Sequence, residues 1–324
     1  MNTTLLRCAI ALTVSAASIS ASYAQAYPNA PINMIIPYPP AGATDKIGRL
    51  LALGMSKKLG QNIIVENRAG ATGTIGMQAA VNASPEGYTI VLGTGGTVAV
   101  DITIEKLPYN PVRDLTAIAP VVSIPFVMVA NMNFPPRNIG ELVAYAKREP
   151  GKINFASSGT GGPAHLATEY LMALNKIKMV HIPYKGAAAA YTDVVGGQVD
   201  FMTGDVASAL AFIQGNRLKA IAVTGPQRLA LLPNVPTVAE SGQPGYEAGN
   251  WFGIFGPAKM PADVVAKLSK AVMDTVQEAE FKRGIEPLGG ISLIMNKPDF
   301  ERFITVQTKE RVDLLKSNNI VLDR

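Results

Sequence analysis

Cysteine is all but missing from this sequence: the chain has one, Cys8, within its first ten residues. Disulfide staples, cysteine-ligated zinc and thiol catalysis are thereby excluded from the body of the protein. Histidine is nearly as scarce, and His165 and His181 stand too far apart for a zinc-binding pair. No metal and no cofactor is expected. The G-x-S-x-G elbow and the Walker loop are absent, and "GATGTIG" at 70–76 lacks the opening of a dinucleotide fingerprint. Charged residues make up only 16%, and the net +5 is scattered. With no basic stripe interleaved with aromatics, nucleic acid is not an expected partner. No apolar run reaches the ~20 residues of a membrane span.

What is present begins with a targeting pattern. "MNTTLLR" carries one positive side chain, Arg7. The apolar, small-residue run "CAIALTVSAASISA" follows, and then "SYAQA". This is the layout of a cleaved secretory signal over 1–24, with Ala24 as the last residue removed and Ala26 the alternative. Cys8 lies inside the apolar run rather than after it, so a lipid anchor is not expected. About 300 residues then remain, enough for two domains, and the 48% apolar content suits well-buried α/β cores.

From Pro31 onward, β-rich runs alternate with helical ones. "INMIIPY" reads as a strand, and Ile47, Leu50, Leu51, Met55 and Leu59 share one face of the helix after it. Asn138 and Glu141 form a capping box, and Pro163 sits in the first turn of "PAHLATEYLMAL". A single C-terminal helix is read over "PADVVAKLSKAVMDTVQEAEFKRG", followed by another in "PDFERFITVQTKERVDLLKSNN". Such alternation implies right-handed crossovers and mainly parallel sheets. Two proline-rich stretches, 119–136 and 224–262, break the rhythm. They predict one domain of 27–125 plus 249–324, with a second of 126–248 inserted in it.

Ligands of parallel sheets bind beyond the carboxyl ends of the strands. Those ends lead into "PYPPAGATD" (Tyr38, Ala41, Gly42, Thr44, Asp45), "GTGGT" (Thr94, Gly95) and "SSGTGG" (Ser157, Ser158, Thr160, Gly161). "YKG" (Lys185) and "TGD" (Asp205) follow the same rule. A helix start offers unpaired N–H groups and partial positive charge, glycine permits close approach, and hydroxyls add donors. "SSGTGG" therefore reads as an anion cradle rather than a plain turn. Asp45 has two readings, a cap on its helix end or a receiver of a ligand ammonium. His165 is open between ligand contact and packing, and His181 reads as structural. Lys185 is open between anion contact and solvation, and Trp251 between cleft wall and core.

"PYPPAGATD", "VENRAGATGTIG", "SSGTGGPAHLA", "PYKG", "GQVDFMTGD", "LPNVPTVAESG" and "WFGIFGPA" stand in one order along essentially the whole mature chain. In this the sequence resembles the periplasmic substrate-binding proteins of tripartite tricarboxylate transporters, the Bug receptors. The resemblance implies a two-domain periplasmic-binding-protein fold, type II-like, with two crossover strands and a ligand cleft between domains. It implies capture of a small organic acid, with aliphatic, aromatic and amino acids all open, and delivery to membrane permease subunits by a monomeric receptor. The family's first-loop glycine pair falls on Ala41 and Gly42, so Ala41 is a departure. The segment "VQTKERVD" departs as well, where the family often carries a tryptophan. Two other classes stay open at this point: an exported enzyme using Lys185 or His165, and a sensor for a signalling partner.

Overall fold

The computed structural model describes residues 27–100 and 107–317. The expected signal segment lies outside the described residues. Strand β1 (Ile32–Ile36) is a run of β-branched and apolar residues between Pro31 and Pro37 and is almost wholly buried. It pairs in parallel with β2 (Ile63–Asn67) and with β3 (Thr89–Thr94). Helix α1 (Ala43–Leu59) buries Ile47, Leu51 and Met55, spaced by four, against this wing. Each fully buried aliphatic side chain contributes about 1.5–3 kcal/mol. Gly48 allows the helix to lie close, since a Cβ there would come within 2.0 Å of Ile36 Cδ1. The helix ends at Gly60, whose φ of 67° is the left-handed stop that glycine accepts at least cost. Helix α2 (Thr74–Val81) follows β2.

The chain then crosses the molecule in one strand. β4 (Leu115–Asn131) has 17 residues and spans about 55 Å at ~3.3 Å per residue. Its first part, Leu115–Pro125, pairs antiparallel with β9 (Gly249–Pro257). From Phe126 on it pairs with β7 (Phe201–Asp205) and β8 (Leu218–Val223) instead. Between these lie α3 (Ile139–Arg148), β5 (Asn154–Ser157), α4 (Pro163–Asn175), β6 (Val180–Pro183), α5 (Ala187–Gly196) and α6 (Val206–Gln214). β5 pairs in parallel with β6 and β7. The short β10 (Ile291–Ser292) pairs with β4 at Val122 and Ser123.

The result is a bilobed fold on one mixed, curled sheet. The two wings are parallel, as the alternation implies. The strands joining them are antiparallel, because a chain that leaves a lobe by β4 must return by β9. One lobe packs Met34, Leu51, Ile90 and Leu268 into its core. The other has a core on each sheet face, around Phe155 and Phe201 and around Val127 and Met202.

The first C-terminal run differs from the single helix expected. It divides into α7 (Ala262–Gln277) and α8 (Ala279–Ile285) at Glu278, whose ψ of 143° is extended. Glu278 donates its N–H to Thr275 O, accepts from Lys282 N and pairs with Lys58 at 2.5 Å. Two local backbone bonds close one helix and open the next there, and the pair with Lys58 adds a tertiary contact that periodicity does not reveal. Helix α9 (Lys297–Ser317) reaches from the first lobe to the second, where Leu314 and Leu315 pack with Leu166 and Tyr170. Among the described residues no helix is long and apolar enough to cross a membrane.

Candidate ligand cleft

Strand direction decides which loops meet. β9 is antiparallel to both β3 and β4, so β3 points the same way as β4, towards the second lobe. β7 is antiparallel to β4, so β7 and its parallel neighbours β5 and β6 point back towards the first. The loops after β1 and β3 thus oppose the loops after β5, β6 and β7 across the lobe junction. Asp205 lies opposite Phe126, where β4 changes partners.

In the first loop Ala41 takes φ 68°, a conformation that costs an alanine more than a glycine. Its N–H donates to Asp45 Oδ2 at 3.0 Å. The same carboxylate accepts from Arg49 Nε at 3.0 and 3.1 Å and from Asn67 Nδ2 at 2.9 Å. Arg49 above all, helped by Asn67 and the Ala41 amide, holds the Asp45 carboxyl down at about 2. Asp45 is buried, and both its oxygens are engaged by the loop amide, by Arg49 on α1 and by Asn67 on β2. That geometry favours loop bracing over receipt of a ligand ammonium. Gly42 starts α1 with no side-chain cap, and residues 41–43 are exposed. Thr44 is half-buried in the first turn. The amides of that turn lack intrahelical acceptors by helix geometry.

Thr94 and Gly95 are buried, and their loop is bonded internally. The Thr94 and Thr97 side chains exchange hydrogen bonds with each other's backbone amides at 3.2 and 3.0 Å. Tyr38 Oη lies 3.2 Å from Thr94 Oγ1. Gly95 is buried against the indole of Trp251, whose Nε1 would stand 2.9 Å from a Cβ there. Trp251 packs edge-on to Phe300 and Phe303, which settles it in the core. Beside them, Gly70, Ala71, Thr72 and Gly73 all have positive φ. A Cβ on Gly73 would meet Thr97 Cγ2 at 2.8 Å and Tyr38 Cζ at 3.4 Å.

In the second lobe Ser158 and Thr160 are exposed, whereas Ser157 and Gly161 are buried. Gly159 and Gly161 have φ 149° and 73°, which favour glycine. Helix α4 starts at Gly162 with no side-chain cap. The Gly161 N–H donates inward to His165 Nδ1 at 2.9 Å. His165 is 2% exposed, so it lies beneath the loop and not on its surface. Its ring stacks on His181 at 3.7 Å, and His181 Nε2 is 2.7 Å from Ser157 Oγ. Lys185 is exposed beside Gly186, the uncapped start of α5. Asp205 is also exposed to water, yet protein on several sides desolvates its carboxyl and pushes its pKa up. Sequence reading missed Arg49 and Glu169, although each stands four residues from its partner on one helix, a spacing that marks a pair, and it missed Asn67, which reaches Asp45 from another element.

The family described as the tripartite tricarboxylate transporter family receptor matches residues 47–320. Protein BugT of Bordetella pertussis is 32% identical over 307 residues, 94% of each chain. The solved periplasmic binding protein BugD is 34% identical, with 91% of this chain and 99% of that one covered and a TM-score of 0.70. MatC of Rhodopseudomonas palustris, solved with bound malate, is 28% identical, with 89% and 100% covered and a TM-score of 0.69. With two lobes, opposed strand-end loops and a match along most of its length, the chain belongs to the receptor family of the tripartite tricarboxylate transporters.

Proposed function

We propose that this periplasmic receptor closes its lobes on a small organic carboxylate and delivers it to the membrane permease subunits of its transporter. The carrying observation is the opposition of two glycine-started helix ends, the exposed one at Gly42 and the half-buried one at Gly162, across the lobe junction. Such ends present amide donors and partial positive charge to an anion. The malate held by MatC is of the chemical class these ends suit. In this reading Gly42, Thr44, Ser158 and Thr160 contact the ligand. Tyr38, Ala41, Asp45, Thr94, Gly95, Ser157 and Gly161 shape the loops, and Lys185 and Asp205 flank the entrance. The lobes divide near residues 125/126 and 248/249, where β4 changes partners and β9 begins. A signal segment ending at Ala24 takes the chain to the periplasm.

Native purification, denaturation and mass spectrometry of the released small molecule test this directly, followed by calorimetric titration of the acid recovered. Recovery and rebinding of a carboxylate is the expected result. Failure to bind any of a broad panel of mono- and dicarboxylates overturns it. Amino-terminal sequencing of the periplasmic protein checks the cleavage site, with Gln25 expected first.

A further inference from the structure

Beneath the exposed hydroxyls of the second-lobe loop lies a polar cluster that touches no solvent-facing ligand group. We propose that His165 is a positioning residue: its unprotonated Nδ1 draws the Gly161 amide inward and so turns the Ser158 and Thr160 hydroxyls outward to the carboxylate. This rests on the receptor reading above and deepens it.

The tautomer follows from the bond. A backbone N–H donates to Nδ1 at 2.9 Å, so that nitrogen carries a lone pair and the neutral ring holds its proton on Nε2. Nε2 lies 3.3 Å from Glu169 Oε1, an electrostatic contact without good hydrogen-bond geometry. The other end of the loop is fastened in parallel. Ser157 Oγ donates to Gly159 O at 3.0 Å, which leaves it to accept from His181 Nε2 at 2.7 Å. The two rings stack at 3.7 Å and 15°, with Phe155 stacked beside both. They act as one rigid block under the loop, and two stacked imidazolium charges would repel. Burial and the neighbouring His165 push the His181 pKa down to about 4.

A proton on Nδ1 would set two N–H groups against each other, so the bond from the Gly161 amide requires the lone pair there. The charged and titratable groups facing the ring are few. Glu169 lies on its own helix at 3.3 Å, and His181 on β6 stacks on its face. β5 contributes Phe155 and Ser157, and β7 contributes Thr203, bonded to Thr168 at 2.7 Å. Asp205 ends β7 at the lobe junction. On α9, Glu310 and Arg311 line a small cavity with Leu166, Ala167 and Tyr170, on another face of α4.

Three proteins test this: the parent, His165→Asn and His165→Phe. Asparagine offers an acceptor near the Nδ1 position and does not titrate, whereas phenylalanine keeps the stack and loses the acceptor. One readout needs no ligand: hydrogen exchange and the NMR shift of the Gly161 amide. That amide should be protected in the parent and His165→Asn and exchange freely in His165→Phe. The second readout is malate affinity by calorimetry. His165→Phe should bind more than about tenfold more weakly, and His165→Asn should recover most of that loss. A folded His165→Phe with a protected Gly161 amide and parental affinity overturns the proposal. If malate binds none of the three, the fault lies with malate as ligand, and exchange at the Gly161 amide still decides the role of His165.

Discussion

At Asp45 one carboxylate holds the Ala41 amide, Arg49 and Asn67 together. Its folded pKa lies below the ordinary carboxylate value, so its contribution to stability is present above about pH 4 and fades as pH falls through about 2. Thermal melts of Asp45→Asn should show a deficit at neutral pH that closes towards pH 2. Arg49 is half exposed, so the deficit is modest. A constant deficit across that range would mean the charge is not what braces the loop. Ser158 sits at the opposite pole, exposed and engaged in no structural bond of the loop core. Ser158→Ala should weaken binding roughly tenfold, ~1.4 kcal/mol, with an unchanged melting point. Equal affinity by calorimetry would remove this hydroxyl from the site. Glycines and hydroxyls at a strand end were legible, because their local chemistry has few other uses. The His165–His181 stack was not, because it joins residues on different elements through a ring face that no spacing encodes.

Among elements, α3 shows how far local signals reach. Asn138 Oδ1 accepts from the Glu141 amide at 2.9 Å, as the capping-box letters imply, but the returning Glu141 Oε2 accepts from Arg137 N at 2.8 Å, one residue before the cap. Asn138→Ala should cost about 1 kcal/mol of stability and leave ligand affinity unchanged. Urea titration alongside calorimetry checks both halves, and lost affinity would tie this distant helix to the cleft. Helix α7 shows the limit. Its apolar period continues past Gln277, yet the chain bends at Glu278, where Lys58 of α1 meets it. Strand β4 shows the same limit in its pairing. Its run of apolar residues marks it as buried, but nothing local states that Pro125 is the last residue to face β9.

The whole molecule turns on the segments that join its lobes. Ligand contacts on both sides stabilise the closed arrangement by their difference in affinity for it. Small-angle scattering should register compaction when the acid recovered from the native protein is added in excess. An unchanged radius at saturation would mean that the lobes do not move. The same ligand should raise stability by about 2.7 kcal/mol at a hundredfold excess over its Kd, read as a higher Tm. α9 bridges the two lobes, with Leu314 and Leu315 packed on Leu166 of the second.

From sequence alone came the alternating α/β plan, the two breaks in its rhythm, the loops that follow each strand and, through its ordered motifs, the family resemblance. Each of these rests on local chemistry: period, turn residues, caps and strings of adjacent letters. Tertiary structure alone decided that Asp45 braces its own loop, that Gly161 turns inward to His165 and that Trp251 lies in the core. Those outcomes depend on which distant side chain arrives next to a given atom. A hydrogen bond selects its partner by position in space, and only the packed lobes set that position.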